Sequence, residues 1–202
     1  MDKYNIYFID DEPDILRIVR NTLKDMYFIN CYNNPKRALY KAEKDGCDLL
    51  ITDMNMPDMD GMTLLKEFRK ILPVTPVIIL TGYGDVTSAK QAILLGANDF
   101  LEKPFDRTNF LDSIQRLLST YAILKQLVKE YDLSKMQFMM LQHVIIGRGI
   151  KESAFLMNRS DRTLESHRYK MMKKMNASSV MDILTHPSVL EYFRLTRDIK
   201  TL

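Results

Sequence analysis

The chain has 202 residues, 46% hydrophobic and 27% charged, a balance that fits one or two globular domains and excludes a disordered or fibrous polypeptide. No segment approaches the roughly 18 uninterrupted apolar residues of a membrane span, and the first residues open with charge and run straight into a strand, so the sequence predicts a cytoplasmic protein with no membrane partner. The net charge of +3 conceals an asymmetry: residues 1–120 carry 15 Lys and Arg against 18 Asp and Glu, and residues 121–202 carry 14 against 8. An acidic front half and a basic back half predict two domains with different partners, the second suited to a polyanion.

In chain order, Tyr4 to Ile9 reads as a strand ending in Asp10-Asp11. Glu12-Pro13-Asp14 opens a helix, with Pro in the first turn and acids near the positive end of the dipole. Tyr27 to Cys31 is a second strand, and Asn33-Asn34-Pro35 starts a helix running to about Lys44. Leu49 to Ile51 is the apolar centre of a third strand, too short for a helix and followed by Pro57 and Gly61. Helix Gly61 to Lys70, strand Val77 to Leu80, helix Asp85 to Leu95 and a short strand around Phe100-Leu101 follow, and Asp106 caps a fifth helix. Cys31 and Cys47 lie in or beside strands without CxxC spacing, so they read as buried free thiols. Five strands alternating with five helices predict a doubly wound α/β domain with a parallel five-stranded sheet.

In such a sheet, ligands bind at the carboxyl ends of the strands. The sequence brings Asp10 and Asp11, Asp53, Thr81 and Lys103 to those ends. Three crowded carboxylates repel unless a hard divalent cation sits among them. Magnesium fits such an oxygen set, whereas zinc would want His or Cys. A lysine and a hydroxyl facing that ion are what a transferred phosphoryl group needs, so the implied chemistry is phosphoryl transfer to Asp53.

Asp10-Asp11, Asp53 with Met56-Pro57 and Gly61, Thr81-Gly82, Gly96-Ala97-Asn98-Asp99-Phe100-Leu101 and Lys103-Pro104-Phe105 together resemble the receiver domain of two-component response regulators, a flavodoxin-like, CheY-like fold. The resemblance implies that Asp53 is the phospho-acceptor, attacking a phosphohistidine of a sensor histidine kinase. It implies Mg2+ held by Asp11 and Asp53 through side chains, by Asn55 through its backbone carbonyl and by Asp10 through water. Lys103 would pair with phosphoryl oxygens, and Thr81 and Phe100 would form the switch. The surface of helix four, strand five and helix five would then favour a homodimer on phosphorylation. Such a chain is a regulator and not an enzyme, assisting only its own Mg-dependent phosphotransfer and dephosphorylation.

Beyond Asp106 the helical spacing continues through Ile114, Leu117, Leu118, Tyr121, Leu124, Leu127, Val128 and Tyr131, predicting one long linking helix. The domain boundaries expected are 1–120, a helical linker over 121–132, and an all-α domain of four helices over 133–202. Leu133-Ser134 starts the first of these, Gly147-Arg148-Gly149 breaks it, and a short helix runs from Ile150 to Met157. Ser160-Asp161 caps a basic helix to Met175, and Ser178-Ser179 opens another that closes near His186-Pro187. A short turn between two helices, the second basic, suggests a helix-turn-helix.

Leu133-Ser134, Ser160-x-Arg162-Thr163-Leu164-Glu165-x-His167-Arg168, Met172-x-Lys174-Met175 and Ser178 are similar to the output domain of the LuxR group, particularly its FixJ-like and NarL-like response regulators. The resemblance departs at Met136-Gln137, where Arg-Glu is usual, at Ser153, where an apolar residue is usual, and at Arg159, which replaces Ile or Val. It implies duplex DNA as partner and a structural, hydrogen-bonded His167. Glu165, Ser166 and Tyr169 are expected at base edges; Arg162, Lys170, Lys173 and Lys174 at phosphates; and Thr163 and Arg168 within the same surface. Two alternatives stay open, an RNA-binding antiterminator and a protein-interaction module under the same phospho-switch.

Overall fold

The computed structural model describes residues 3–82 and 86–199. Five strands, β1 (Asn5–Ile9), β2 (Phe28–Tyr32), β3 (Leu49–Asp53), β4 (Val77–Thr81) and β5 (Asp99–Glu102), form one parallel sheet in the order β2-β1-β3-β4-β5. Between them run α1 (Pro13–Leu23), α2 (Pro35–Asp45), α3 (Gly61–Ile71) and α4 (Val86–Leu94). The Asp85 helix start read from the sequence lies outside the described residues. The remaining strand and helix boundaries fall within a residue or two of those expected, the ordinary fraying of element ends.

By contacts the described chain separates into two units: residues up to Arg69 with Thr75–Leu118, and Lys70–Val74 with Ser119–Leu202. In the first, alternation along each strand sends Ile6, Phe8, Leu49, Ile51, Ile78 and Leu80 to one face, where they pack with Val19 and Leu23 of α1 and with Phe110 and Ile114. The intervening residues Tyr7, Ile9, Leu50 and Ile79 are also buried, so the sheet is covered on both faces. Only a parallel sheet with helices on both sides makes β3 and β4 continuous apolar runs.

Helix starts follow their caps. Asn34 accepts a hydrogen bond from Arg37 N at 3.0 Å, and Asp106 accepts from Thr108 N and Asn109 N to begin α5 (Arg107–Glu130). This is a single 24-residue helix, its apolar stripe unbroken by Pro or Gly.

The second unit holds α6 (Lys135–Ile145), α7 (Ile150–Leu156), α8 (Asp161–Lys174) and α9 (Val180–Leu184), followed by α10 (Pro187–Ile199). Ser134 and Gln137 form a capping box, so glutamine fills the reciprocal role that glutamate usually has at that place. Asn158 and Asn176, at φ 50°, end α7 and α8 in the left-handed conformation that asparagine tolerates. The four expected helices are present; α10 was not foreseen. Pro187 read as a stop, but at a first helical position its missing N–H costs nothing and its fixed φ starts a helix.

α6 is buried on every side from Gln137 to Ile145. Within this unit its polar side chains satisfy the backbone of Lys70–Val74: Gln142 Oε1 accepts from Val74 N at 3.4 Å, and His143 Nε2 lies 3.1 Å from Ile71 O. Tyr192 donates to Val74 O at 3.2 Å and Arg148 to Lys70 O at 3.1 Å.

The carbonyl partner makes Nε2 the protonated nitrogen of His143, while Nδ1 is buried without a partner among the described residues. Desolvation, aided by the nearby Arg148 charge and opposed by the Ile71 hydrogen bond, pushes its pKa down to about 4. The unfolded chain therefore takes up this proton first on acidification. Stability is unaffected above the unfolded value of 6.5 and is lost as pH falls from there towards 4. The loss attributable to this ring reaches about 3 kcal/mol. His143→Gln, which keeps a donor for the Ile71 carbonyl, should flatten that part of the curve; denaturant titrations of the full chain from pH 7 to 4 in which both proteins lose stability equally would assign the effect elsewhere.

Candidate functional site

The strand order reverses at β1, whose neighbours are β2 on one side and β3 on the other. This is the switch point at which an open α/β sheet leaves a crevice beyond its carboxyl edge. Ile9 and Thr52 are register partners, so the next residues, Asp10 and Asp53, come side by side. Thr81 ends β4 opposite Glu102 of β5, and Lys103 follows. Lys103 N also donates to Thr81 O at 2.6 Å, tying the lysine to the threonine's strand.

Three groups converge. Lys103 Nζ lies 2.7 Å from Asp10 Oδ2 and 2.6 Å from Asp53 Oδ1, with Glu12 Oε1 farther off at 3.9 Å. Asp10 is fully buried and Asp53 nearly so. Each carboxylate is also aimed by a backbone donor, Glu12 N to Asp10 Oδ1 at 2.9 Å and Asn55 N to Asp53 Oδ2 at 2.7 Å. Gly61 closes the site from behind. A Cβ there would overlap the carbonyl oxygen of Asp53, so any side chain would displace the strand end that carries this carboxylate.

Burial raises the Asp10 pKa, against the hydrogen bonds from Lys103 and Glu12. For Lys103, burial favours the neutral amine, but the hydrogen bonds and charges of Asp10 and Asp53 outweigh it and raise its pKa. With two carboxylates within 2.7 Å of one amine, the proton stays on Lys103.

Asp10, Asp53, Thr81 and Lys103 are therefore brought to one edge, as their positions in the sequence imply. Thr81 is 1% exposed and Phe100, paired with Ile79, is half-buried. Asp11 and Asn55 are exposed. Among the described residues no group of three or more His, Cys, Asp and Glu converges as a metal cluster. The backbone N–H of Asn55 and the carboxylate of Glu12 are contributions that sequence reading missed. Glu12 read as a helix-start acid, and a backbone donor has no residue signature.

In the second unit, α8 rests on Leu164, Met171 and Met175, all buried. Arg162, Glu165, Ser166, Tyr169, Lys170 and Lys173 are exposed, and Arg168 and His167 are half-buried. Two residues expected at DNA have local partners: Thr163 Oγ1 is 2.8 Å from Ser160 Oγ within the cap, and Lys174 Nζ binds the Asp132 carbonyl oxygen and lies 3.1 Å from its Oδ2. Burial, with the neighbouring Lys170 charge, lowers the His167 pKa. No hydrogen bond to its ring occurs among the described residues.

A response regulator receiver domain model matches residues 6–115, and a model of the bacterial regulatory proteins of the luxR family matches residues 132–186. The chain belongs to the response regulators. It is 30% identical over 189 residues to the transcriptional regulatory protein FixJ of Rhizobium meliloti, covering 89% of this chain and 93% of that protein. It is 29% identical over 188 residues to the response regulator protein TodT of Pseudomonas putida, covering 89% and 83% respectively. The crystal structure of full-length FixJ from B. japonicum, 27% identical, covers 100% of both chains with a TM-score of 0.54. This response regulator thus joins a receiver to a LuxR-type DNA-binding domain, and its partners are a kinase and DNA.

Removing the Lys103 charge leaves the buried Asp10 uncompensated and should cost about 3 kcal/mol of stability. In a double-mutant cycle, Lys103→Ala and Asp10→Asn should couple by about 1–3 kcal/mol. Denaturant unfolding in which the two effects simply add would show that Lys103 does not neutralise Asp10.

Proposed function

We propose that Asp53 receives the phosphoryl group from a sensor histidine kinase and that the resulting acyl phosphate controls duplex-DNA binding by α8, with domains at 1–120 and 133–202 linked by 121–132. The observation that carries this reading is the single ammonium of Lys103 held between the Asp10 and Asp53 carboxylates at the switch-point crevice. A carboxylate oxygen of Asp53 attacks phosphorus, the phosphorus–nitrogen bond to histidine breaks, and the new acyl phosphate carries more negative charge than the carboxylate it replaces. Lys103 and the Asn55 N–H hold that carboxylate in one orientation before transfer.

The oxygen-only donors Asp10 and Asp53, with Asp11 beside them and the Asn55 carbonyl, suit Mg2+. That ion, when bound, would neutralise charge developing on the phosphoryl oxygens. Thr81 and Phe100 carry the switch in this reading. The chain then acts as a regulator and not as an enzyme on an external substrate, in the cytoplasm where its DNA lies. Homodimer formation on phosphorylation would in this reading use the α4 side of the sheet, where an open apolar hollow of about 490 Å³ is lined by Ala89, Lys90, Ile93 and Leu94. The exposed cations Arg162, Lys170 and Lys173 on α8 favour DNA over an RNA-binding or protein-interaction output.

Asp53→Asn should abolish labelling by a small-molecule phosphodonor while leaving the fold intact, and EDTA should block labelling of the wild type. Labelling that persists in Asp53→Asn and vanishes in another Asp variant would move the acceptor elsewhere. On the DNA side, Lys170→Ala and Lys173→Ala should each weaken binding to all duplexes and lower the slope of log K against log salt by about one. Arg162, Arg168 and Lys174 belong to the same surface, with Lys174 the least affected because Asp132 already holds it. Unchanged slopes in filter-binding titrations would remove the two lysines from the phosphate contacts.

A further inference from the structure

On α8 the buried Leu164, Met171 and Met175 fix the inner face. The opposite arc carries Arg162, Ser166, Tyr169 and Lys173 at i, i+4, i+7 and i+11, all exposed, with Glu165 on its flank. Glu165 is anomalous there. The first-turn acid Asp161 complements the helix dipole, but Glu165 lies a turn further on, within a basic surface that meets a polyanion. Arg162 stands at i−3 and Arg168 at i+3, yet Glu165 makes no ion pair with either among the described residues. An unpaired carboxylate near phosphates opposes association, so its useful contact must be a hydrogen-bond donor in the groove.

We infer that Glu165 is a specificity-determining residue that reads the exocyclic amine of a cytosine in the major groove. This rests on the DNA-binding reading of α8 and adds the base it selects. A carboxylate accepts only. Major-groove donors are the cytosine N4 and adenine N6 amines, whereas guanine and thymine present acceptors to it. Adenine N6 has an acceptor on each side, its own N7 and the paired thymine O4, so the second carboxylate oxygen meets a lone pair whichever way it turns; cytosine N4 has the guanine O6 on one side but only the C5–H edge on the other. Cytosine is therefore the preferred base, with guanine opposite.

The experiment is selection from a randomised duplex library by the full chain with beryllofluoride, for wild type, Glu165→Gln and Glu165→Ala. Wild type should enrich cytosine at one position of each half-site, on the order of tenfold over the next base. Glu165→Gln should move that position towards adenine, whose N6 and N7 match an amide, and Glu165→Ala should leave it unselective, with the other positions and the salt slope unchanged. A consensus identical in all three proteins overturns the role of Glu165 while leaving DNA binding intact, as does a wild-type preference for another base at the position that responds. A wild type that enriches no position and shows no salt slope overturns the DNA-binding reading, and this inference with it.

Discussion

One ammonium placed between two carboxylates sets the terms for the first unit. Asp10 is wholly buried, and a lone buried carboxylate would give up its charge by taking a proton. The Lys103 contact at 2.7 Å offsets that tendency, and the same amine reaches Asp53 at 2.6 Å. These distances require the carboxyl ends of β1, β3 and β5 to be level, which the parallel registers supply: Ile9 opposite Thr52, Asp53 opposite Leu80, Thr81 opposite Glu102. The apolar packing of Ile6, Phe8, Ile51 and Ile78 is thus what places the charged groups. Conversely, like charges at one sheet edge would separate without Lys103 between them.

Sequence alone reveals most of this unit because its signals are local. β3 and β4 are short apolar runs, their flanking Gly, Pro and Asp residues punctuate them, and the switch-point crevice follows from five strands alternating with helices. The second unit was harder to read for equally physical reasons. α6 is buried all round, so Gln137, Gln142 and His143 interrupt any apolar stripe without marking a solvent face. The partners of Gln142 and His143 lie far off in the chain; Val74 and Gln142 are 68 residues apart, and Ile71 and His143 are 72 apart. No periodicity encodes such pairs. Lys174 looked like one more cation on a basic helix, and only the position of Asp132 distinguishes it.

The departures of the second unit from the LuxR-type pattern differ in consequence. Gln137 preserves the capping box, since an amide oxygen accepts the Ser134 N–H at 2.7 Å as a carboxylate would. Arg159 is exposed, and its guanidinium donates to Asn158 O at 2.9 Å, so it occupies no core space. Ser153 does carry a cost. Its hydroxyl is fully buried without a partner among the described residues, a penalty of about 1–3 kcal/mol where an apolar side chain would have none.

Charge arithmetic indicates why phosphorylation at Asp53 would be felt beyond the aspartate itself. The carboxylate contributes one negative charge, and the phosphoryl group raises that to about two. The Lys103 ammonium is already shared between Asp10 and Asp53, and the backbone N–H groups of Glu12 and Asn55 are already used on them, so the added charge would call for Mg2+ and for a further donor. In the proposed switch that donor is the Thr81 hydroxyl, at the end of the strand next to β3. Thr81 is 1% exposed, so it cannot turn towards the acceptor without vacating packed volume, and an interior of native density does not leave such volume empty. Phe100 lies on the adjoining strand opposite Ile79 and is half-buried, so it has both the size and the freedom to fill the space. In the proposed switch a charge change of one unit at β3 would thereby become a change of shape at β5, on the side of the sheet bordered by α4.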